Sequence, residues 1–217
     1  MAGTLQTVTV RVNRSPTQAC GQRPAPRGRE NKQAEPVSSR GVKGVLYVVV
    51  CAAGAVRQLP ERLLPLIAER GWDVHVLATE RTVSVFPEVI QEIADLTDRP
   101  VRTDFHTTVG YSLPEPDAVI VAPATYNTVT KWALGMADSY VLTRLAEQTG
   151  RGVPIAVGPY INVAFAKHPT YESSLETLRR WGVRVVIGPD EPHQSGVGAA
   201  ETFPWARLLD AVETGGS

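Results

Sequence analysis

Val45-Leu46-Tyr47-Val48-Val49-Val50, running into Cys51-Ala52-Ala53-Gly54-Ala55-Val56, is the stretch on which the reading of this chain turns. Its first six residues are all apolar, four of them β-branched. A strand wetted on one face alternates polar with apolar, whereas a strand covered on both faces does not. The small residues that follow suit a tight turn into a helix. Residues 57–70 (RQLPERLLPLIAER) place Leu59, Leu63, Leu66 and Ile67 on one helical face, with Gly71 as the stop. Pro60 fits the first turn of that helix. Pro65 does not fit an interior and predicts a kink.

The same alternation continues outward. VHVLA (74–78), AVIVA (118–122), PIAVG (154–158) and VRVVI (183–187) read as four further buried strands. Between and after them lie helical patterns over 81–96, interrupted at Pro87, over 126–147 as one or two helices, over 170–181, and over 204–213. Strands that alternate with helices imply a parallel sheet covered on both faces. The predicted fold class is therefore α/β, a doubly wound parallel sheet in a Rossmann-like, flavodoxin-like three-layer α/β/α arrangement.

The chain has 217 residues, with 22 Lys and Arg against 22 Asp and Glu. The zero balance hides two unlike parts. Residues 1–44 carry eight basic and two acidic side chains, and residues 45–217 carry 14 and 20. Residues 13–44 are rich in Pro, Arg, Gln, Ser and Gly, so 1–44 is predicted to be a disordered basic extension. Residues 5–12 alternate weakly and suit an edge strand or no element. Residues 45–217 are predicted to be one folded domain. Its acidic balance argues against a nucleic-acid partner. The sequence has no run of about 20 apolar residues, which argues against a membrane-spanning protein. Cys20 and Cys51 are too few for a disulfide framework, and a cysteine-based metal site is disfavoured. The first 20 residues hold no apolar stretch of signal-peptide length, so a cytoplasmic protein is expected.

In a doubly wound sheet the ligand lies outside the carboxyl ends of the strands, at the switch point. Four loops fall there: 51–56, 79–86, 123–128 and 159–168. The first lacks both G-x-G-x-x-G and a P-loop lysine, so neither dinucleotide nor nucleoside-triphosphate fingerprint is present. Thr79 offers a hydroxyl for a phosphate oxygen or, equally in kind, a helix cap. The third loop is the richest. Pro123-Ala124-Thr125-Tyr126-Asn127-Thr128 clusters a proline, small residues, hydroxyls and an amide at a strand end, and Lys131-Trp132-Ala133-Leu134-Gly135-Met136-Ala137-Asp138 follows.

This third segment resembles the P-A-S-A-N-T motif and the following K-x-A-x-G-x-A-D of the homo-oligomeric flavin-containing cysteine decarboxylases. That family includes phosphopantothenoylcysteine decarboxylase and enzymes acting on the C-terminal cysteine of lantibiotic precursors. The resemblance runs from about Val45 to Val186. It implies FMN as cofactor, held by Gly54 and Ala55 of the first turn, Thr79, Phe86 against the isoalloxazine, Pro123, Ala124, Thr125 and Asp138. Ala53 and Ala55 stand where the family commonly has hydroxyl residues, so backbone N–H groups would carry phosphate binding there. Asn127 is implied to fix the substrate carboxylate or the flavin edge. Pro159-Tyr160-Ile161-Asn162 is similar to the family's substrate clamp, with Asn162 on its asparagine and Tyr160 in its wall.

The family's base is a histidine upstream of the motif. His106 is the candidate here, set further from Pro123 than in the decarboxylases; its alternative reading is an exposed loop histidine. His168 fits an ordinary His-Pro turn, His75 a structural place on a strand, and His193 a loop without pattern. Residues 188–202 contain no cysteine to reprotonate an enethiol, which disfavours the coenzyme A step. The resemblance thus implies an FMN-dependent oxidative decarboxylase of a cysteine-type, peptide C-terminal substrate in a biosynthetic pathway. Two alternatives stay open: a flavin prenyltransferase-like enzyme, and a non-catalytic flavin-binding or regulatory member. It further implies a homo-oligomer, a trimer or a dodecamer of trimers, with the apolar motif helix over 129–142 as one possible interface.

Overall fold

The computed structural model describes residues 42–104, 113–194 and 200–214. The chain divides into Met1–Ser39 and Arg40–Ser217, and all that follows concerns the second unit. The predictions for residues 1–41, including the edge strand over 5–12, lie outside the described residues, as does His106.

Among the described residues, five parallel strands form one sheet in the order β2-β1-β3-β4-β5: β1 Gly44–Val50, β2 Trp72–Ala78, β3 Ala118–Ala124, β4 Ile155–Pro159 and β5 Arg184–Val185. The chain starts at β1, steps to β2, then crosses back to β3 on the other side of β1. This is the flavodoxin-like order, and its switch point lies between β1 and β3. The central strand shows why its sequence does not alternate. Leu46, Val48 and Val50 enter one core, with α1 (Leu59–Arg62), α2 (Leu64–Glu69), α4 (Pro87–Thr97) and α9 (Trp205–Glu213). Tyr47 and Val49 enter the opposite core, with α5 (Tyr126–Ala133), α6 (Tyr140–Gly150) and α8 (Pro169–Arg180).

The helix expected over 57–70 is three pieces. A 3-10 turn spans Gly54–Gln58, and α1 and α2 follow, with Leu63 between them. Pro60 and Pro65 both sit in first turns. Pro65 has no N–H for the carbonyl four residues back, so the break falls where its ring requires. The helix over 81–96 likewise divides at Pro87 into α3 (Glu80–Val85) and α4, and 126–147 divides into α5 and α6 around the left-handed Gly135, φ 70°. β3 runs two residues past its predicted end, with a shift in register between Val121 and Ala124. Pro123 cannot donate there, but its carbonyl accepts from Cys51 N at 3.2 Å and binds the strand end to the first turn.

The fifth strand is shorter than 183–187, although Val186 N still donates to Val157 O at 2.9 Å. At β4, a Cβ on Gly158 would lie 2.9 Å from both Leu208 and Phe203, so the absent side chain is what lets α9 approach the sheet. Among the described residues, no helix is long and apolar enough to cross a membrane.

Candidate functional site

The carboxyl ends of β1, β3 and β4 open onto two cavities that share a wall. One of about 500 Å³ is lined by Thr79, Arg81, Thr128, Lys131 and Ser139 among others. The other, of about 520 Å³, is lined by Gly54, Tyr126, Tyr160, Asn162, Phe165 and His193 among others. Ala52, Thr125 and Asn127 line both. The ridge between the cavities is therefore the β1 turn together with the first residues of α5.

The ridge is built by capping. Thr125 is the N-cap of α5 and its hydroxyl accepts from Thr128 N. The Thr125 and Thr128 hydroxyls lie 3.1 Å apart, and Thr128 Oγ1 is 3.3 Å from the buried Cys51 Sγ. With Thr125 turned inward to cap, Asn127 is left exposed at the crest. Tyr160 N donates to Ala124 O at 2.9 Å, which ties the β4 end to the same ridge.

Thr79 caps α3 and accepts from Thr82 N at 3.3 Å. Thr82 donates its hydroxyl proton to Val50 O, so the 2.7 Å contact between the two hydroxyls uses the Thr79 proton. Thr79 thus faces the first cavity as a cap and acceptor. The cations around that cavity are Arg81 and Lys131, and Lys131 Nζ is 2.6 Å from Asp138 Oδ2. Ser139 caps α6 at the same wall.

The second cavity is walled by aromatic rings. Phe165 stacks on Tyr126 with centroids 4.9 Å apart, and Tyr126 OH lies 2.9 Å from His168 Nδ1 and 2.6 Å from Thr170 Oγ1. His168 itself caps α8, in keeping with a His-Pro turn. Asn162 caps α7 (Val163–Ala166), accepting from Phe165 N at 3.0 Å. Glu191 Oε2 accepts from Ile161 N at 2.9 Å, and Oε1 is 3.1 Å from His193 Nδ1. Burial pushes the Glu191 carboxyl above its ordinary value, opposed by the Ile161 N–H and by His193. Burial also pushes the Cys51 thiol up, against its hydrogen bond to Thr128.

Of the residues singled out in the sequence, the structure brings Gly54, Thr79, Thr125, Asn127, Tyr160 and Asn162 to the cavity walls. It places others elsewhere. Ala55 is fully buried in the core. Phe86 is buried at the α3–α4 junction with the Arg57 guanidinium 4.8 Å above its ring, so it does not line either cavity. Pro123 and Ala124 act through their carbonyls, and Asp138 acts on Lys131. Gly54 has no positive φ, and a Cβ there would meet Tyr160 only at ordinary contact, 3.9 Å; its backbone does not require glycine. His75 is buried on β2 beside Arg99. Among the described residues no group of three or more His, Cys, Asp or Glu stands ready for a metal ion.

In the sequence Arg81, Ser139 and Glu191 carried no assigned role, and His193 read as a loop histidine without pattern. Arg81 and Ser139 had a signal, since both lie beside helix starts at strand ends. The Glu191–His193 pair had none, because its meaning depends on Ile161, thirty residues earlier in the chain.

This arrangement defines a doubly wound α/β protein with two cavities sharing a wall at the β1–β3 switch point. A family model described as Flavoprotein matches residues 34–214, and the chain belongs to that family. The coenzyme A biosynthesis bifunctional protein CoaBC of Thermococcus kodakarensis is 27% identical over 141 residues, which is 62% of this chain and 34% of that protein. A CoaBC of Bacillus subtilis is 36% identical over 66 residues, covering 30% of this chain and 16% of its own length. The chain thus spans about a third or less of these relatives. The FMN-dependent cysteine decarboxylase SpaF superposes with a TM-score of 0.60 at 21% identity, covering 78% of this chain and 98% of its own. The FMN-dependent cysteine decarboxylase TvaF from thioviridamide biosynthesis gives 0.60 at 22%, covering 79% and 99%. At these identities the structural likeness is one of fold.

Proposed function

We propose that this protein binds FMN across the two cavities and oxidatively decarboxylates a substrate ending in cysteine. The observation that carries the reading is the shared wall. One turn, Thr125 to Asn127, faces a cavity with hydroxyls and cations on one side and a cavity walled by aromatic rings on the other. The donor set of the first cavity fits the phosphate-bearing end of a flavin: Arg81, Lys131, Ser139 and the backbone N–H groups at the start of α5. The flat, apolar part would lie over Ala52 and the ridge. Bound flavin would supply a two-electron acceptor.

The chain's own residues do the rest. Asn127, at the crest, is placed to hold a carboxylate that enters the second cavity. Asn162 and Tyr160 line the same space at the β4 end and the start of α7, and the stacked rings of Phe165 and Tyr126 add to its wall. His106 keeps its candidacy as a base on the resemblance alone. The absence of cysteine from 188–202 favours release of an enethiol over its reprotonation at carbon. The family resemblance supports a homo-oligomer. Leu134, 75% exposed beside the half-exposed Met136 in the α5–α6 turn, supplies apolar surface for such an interface. The buried free Cys51 suits a reducing compartment, the cytoplasm.

The test begins with the visible spectrum of the purified protein with and without FMN. Binding is expected, with a flavin band that follows the protein through gel filtration. A peptide ending in cysteine should then bleach that band anaerobically and lose carbon dioxide and two hydrogens. Protein that takes up no FMN would overturn the reading. FMN binding without turnover of any cysteine-ended substrate would favour the regulatory alternative.

A further inference from the structure

His193 lines the second cavity and is paired with the buried Glu191 behind it. After β5 the chain returns alongside the β4–α7 connection. His193 N donates to Ile161 O at 3.1 Å, and Val163 N donates to His193 O at 2.9 Å. Glu191 is fixed by Ile161 N–H, and its side chain is only 4% exposed. The His193 ring, 14% exposed, lies against Tyr160 with centroids 4.4 Å apart. The ring is held on one side by the carboxylate at Nδ1 and on one face by the phenol, and it lines the cavity that Asn127 also lines. A carboxylate at Nδ1 fixes the tautomer that carries the proton there and leaves the lone pair on Nε2. Nε2 has no partner among the described residues.

A merely structural strap would not need this ring. The two backbone hydrogen bonds and the Glu191–Ile161 bond already join the segments. We propose that His193, oriented by Glu191, is the residue that takes a proton from the substrate thiol in the second cavity and returns it to the product sulfur. The proposal rests on the cysteine-decarboxylase reading for its substrate. In the forward transfer the substrate S–H bond breaks, an Nε2–H bond forms, and the electron pair remains on sulfur. The imidazolium so formed is stabilised by the Glu191 carboxylate. Once carbon dioxide has left, the Nε2–H proton passes back to the product sulfur, so the histidine ends as it began. Glu191 is a positioning residue in this scheme, and His193 the group that touches the reacting atom.

The experiment uses the full chain with FMN, a peptide ending in cysteine, and a matched peptide ending in serine. Three quantities are read: the far-ultraviolet thiolate band of the bound peptide, the anaerobic single-turnover rate, and the peptide Kd. Wild type is expected to show the thiolate band. His193→Gln should lose the band and slow by about 100-fold or more, with Kd changed by less than about threefold. Glu191→Gln should slow by about tenfold, and its imidazole nitrogen NMR signals should show loss of the fixed Nδ1–H tautomer. His193→Gln within about threefold of the wild-type rate with its band intact would overturn the proposal. So would loss of peptide binding in both variants, which is what a strap would give. A wild type that turns over the peptide without a thiolate band removes the role of His193 and leaves the decarboxylase reading standing. A wild type that forms the His193-dependent thiolate yet takes up no FMN does the reverse.

Discussion

Cys51 Sγ lies 3.3 Å from Thr128 Oγ1 and joins the last turn of the central strand to the first turn of α5. The contact is fully buried, and burial raises the thiol pKa despite the hydroxyl beside it. Cys51 should therefore resist alkylation in the folded protein at neutral pH, since the thiolate is the reactive form. Peptide mapping after labelling, with and without denaturant, measures this. Rapid labelling of native Cys51 would contradict the packing. Thr128→Val should cost about 1 kcal/mol in urea unfolding, because it removes a buried hydroxyl that also serves Thr125.

Trp132 anchors the α5 side of the sheet. It is among the largest fully buried side chains, and its Nε1 donates to Thr149 Oγ1 at 3.0 Å across to α6. Trp132→Ala should cost about 3–5 kcal/mol. Trp132→Phe should cost much less, since Thr149 still donates to Leu145 O. Chemical denaturation of the two variants decides it, and equal losses would mean that the hydrogen bond, not the volume, matters.

Glu213 couples the end of α9 to the start of β1 and β2. Burial raises its pKa, but hydrogen bonds from Lys43, Trp72 and Arg70 outweigh this and bring the carboxyl down to about 2. A folded-state pKa below the unfolded one stabilises at neutral pH, and that stability is lost as pH falls from about 4.5 towards 2. Discounted for solvent around the partly exposed partners, the contribution is about 1–2 kcal/mol. Glu213→Gln should lower the neutral-pH stability by that amount and flatten the acid limb of the unfolding midpoint against pH. An acid limb as steep as wild type would exclude Glu213 as its source.

Lys131 and Arg81 tell phosphate from ribityl binding. On the FMN reading, Lys131→Ala should raise the Kd for FMN by about tenfold, the worth of one charge-assisted contact. Riboflavin, which lacks the phosphate, should bind both proteins alike. Equal weakening for the two flavins would move the phosphate away from Lys131.

The order of strands and helices was legible because the strands read as short apolar runs between helical patterns, and Val45–Val50, paired with β2 on one side and β3 on the other, suits the centre of a covered sheet. The proline breaks were legible too, since Pro65 and Pro87 act through a missing N–H wherever they stand. Strand ends were less so. β3 continues through Pro123 because its carbonyl, not its nitrogen, is used by Cys51. Within the candidate site, Asn127 and Asn162 were reachable from motif and position. The surroundings of Phe86 were not legible from the motif, because they depend on Arg57, which lies on another element.

What the sequence by itself determined is what depends on local chemistry: a doubly wound parallel sheet, a hydroxyl at Thr79 suited to a helix cap, and a motif after the third strand that resembles a flavoprotein family. What only the tertiary structure decided is which side chains share a cavity. Thr79 spends its proton within its own cap, Lys131 is drawn to Asp138, and Glu191 meets Ile161 and His193. Those meetings depend on how far each loop travels past its strand end, and nothing in local propensity or periodicity carries that distance.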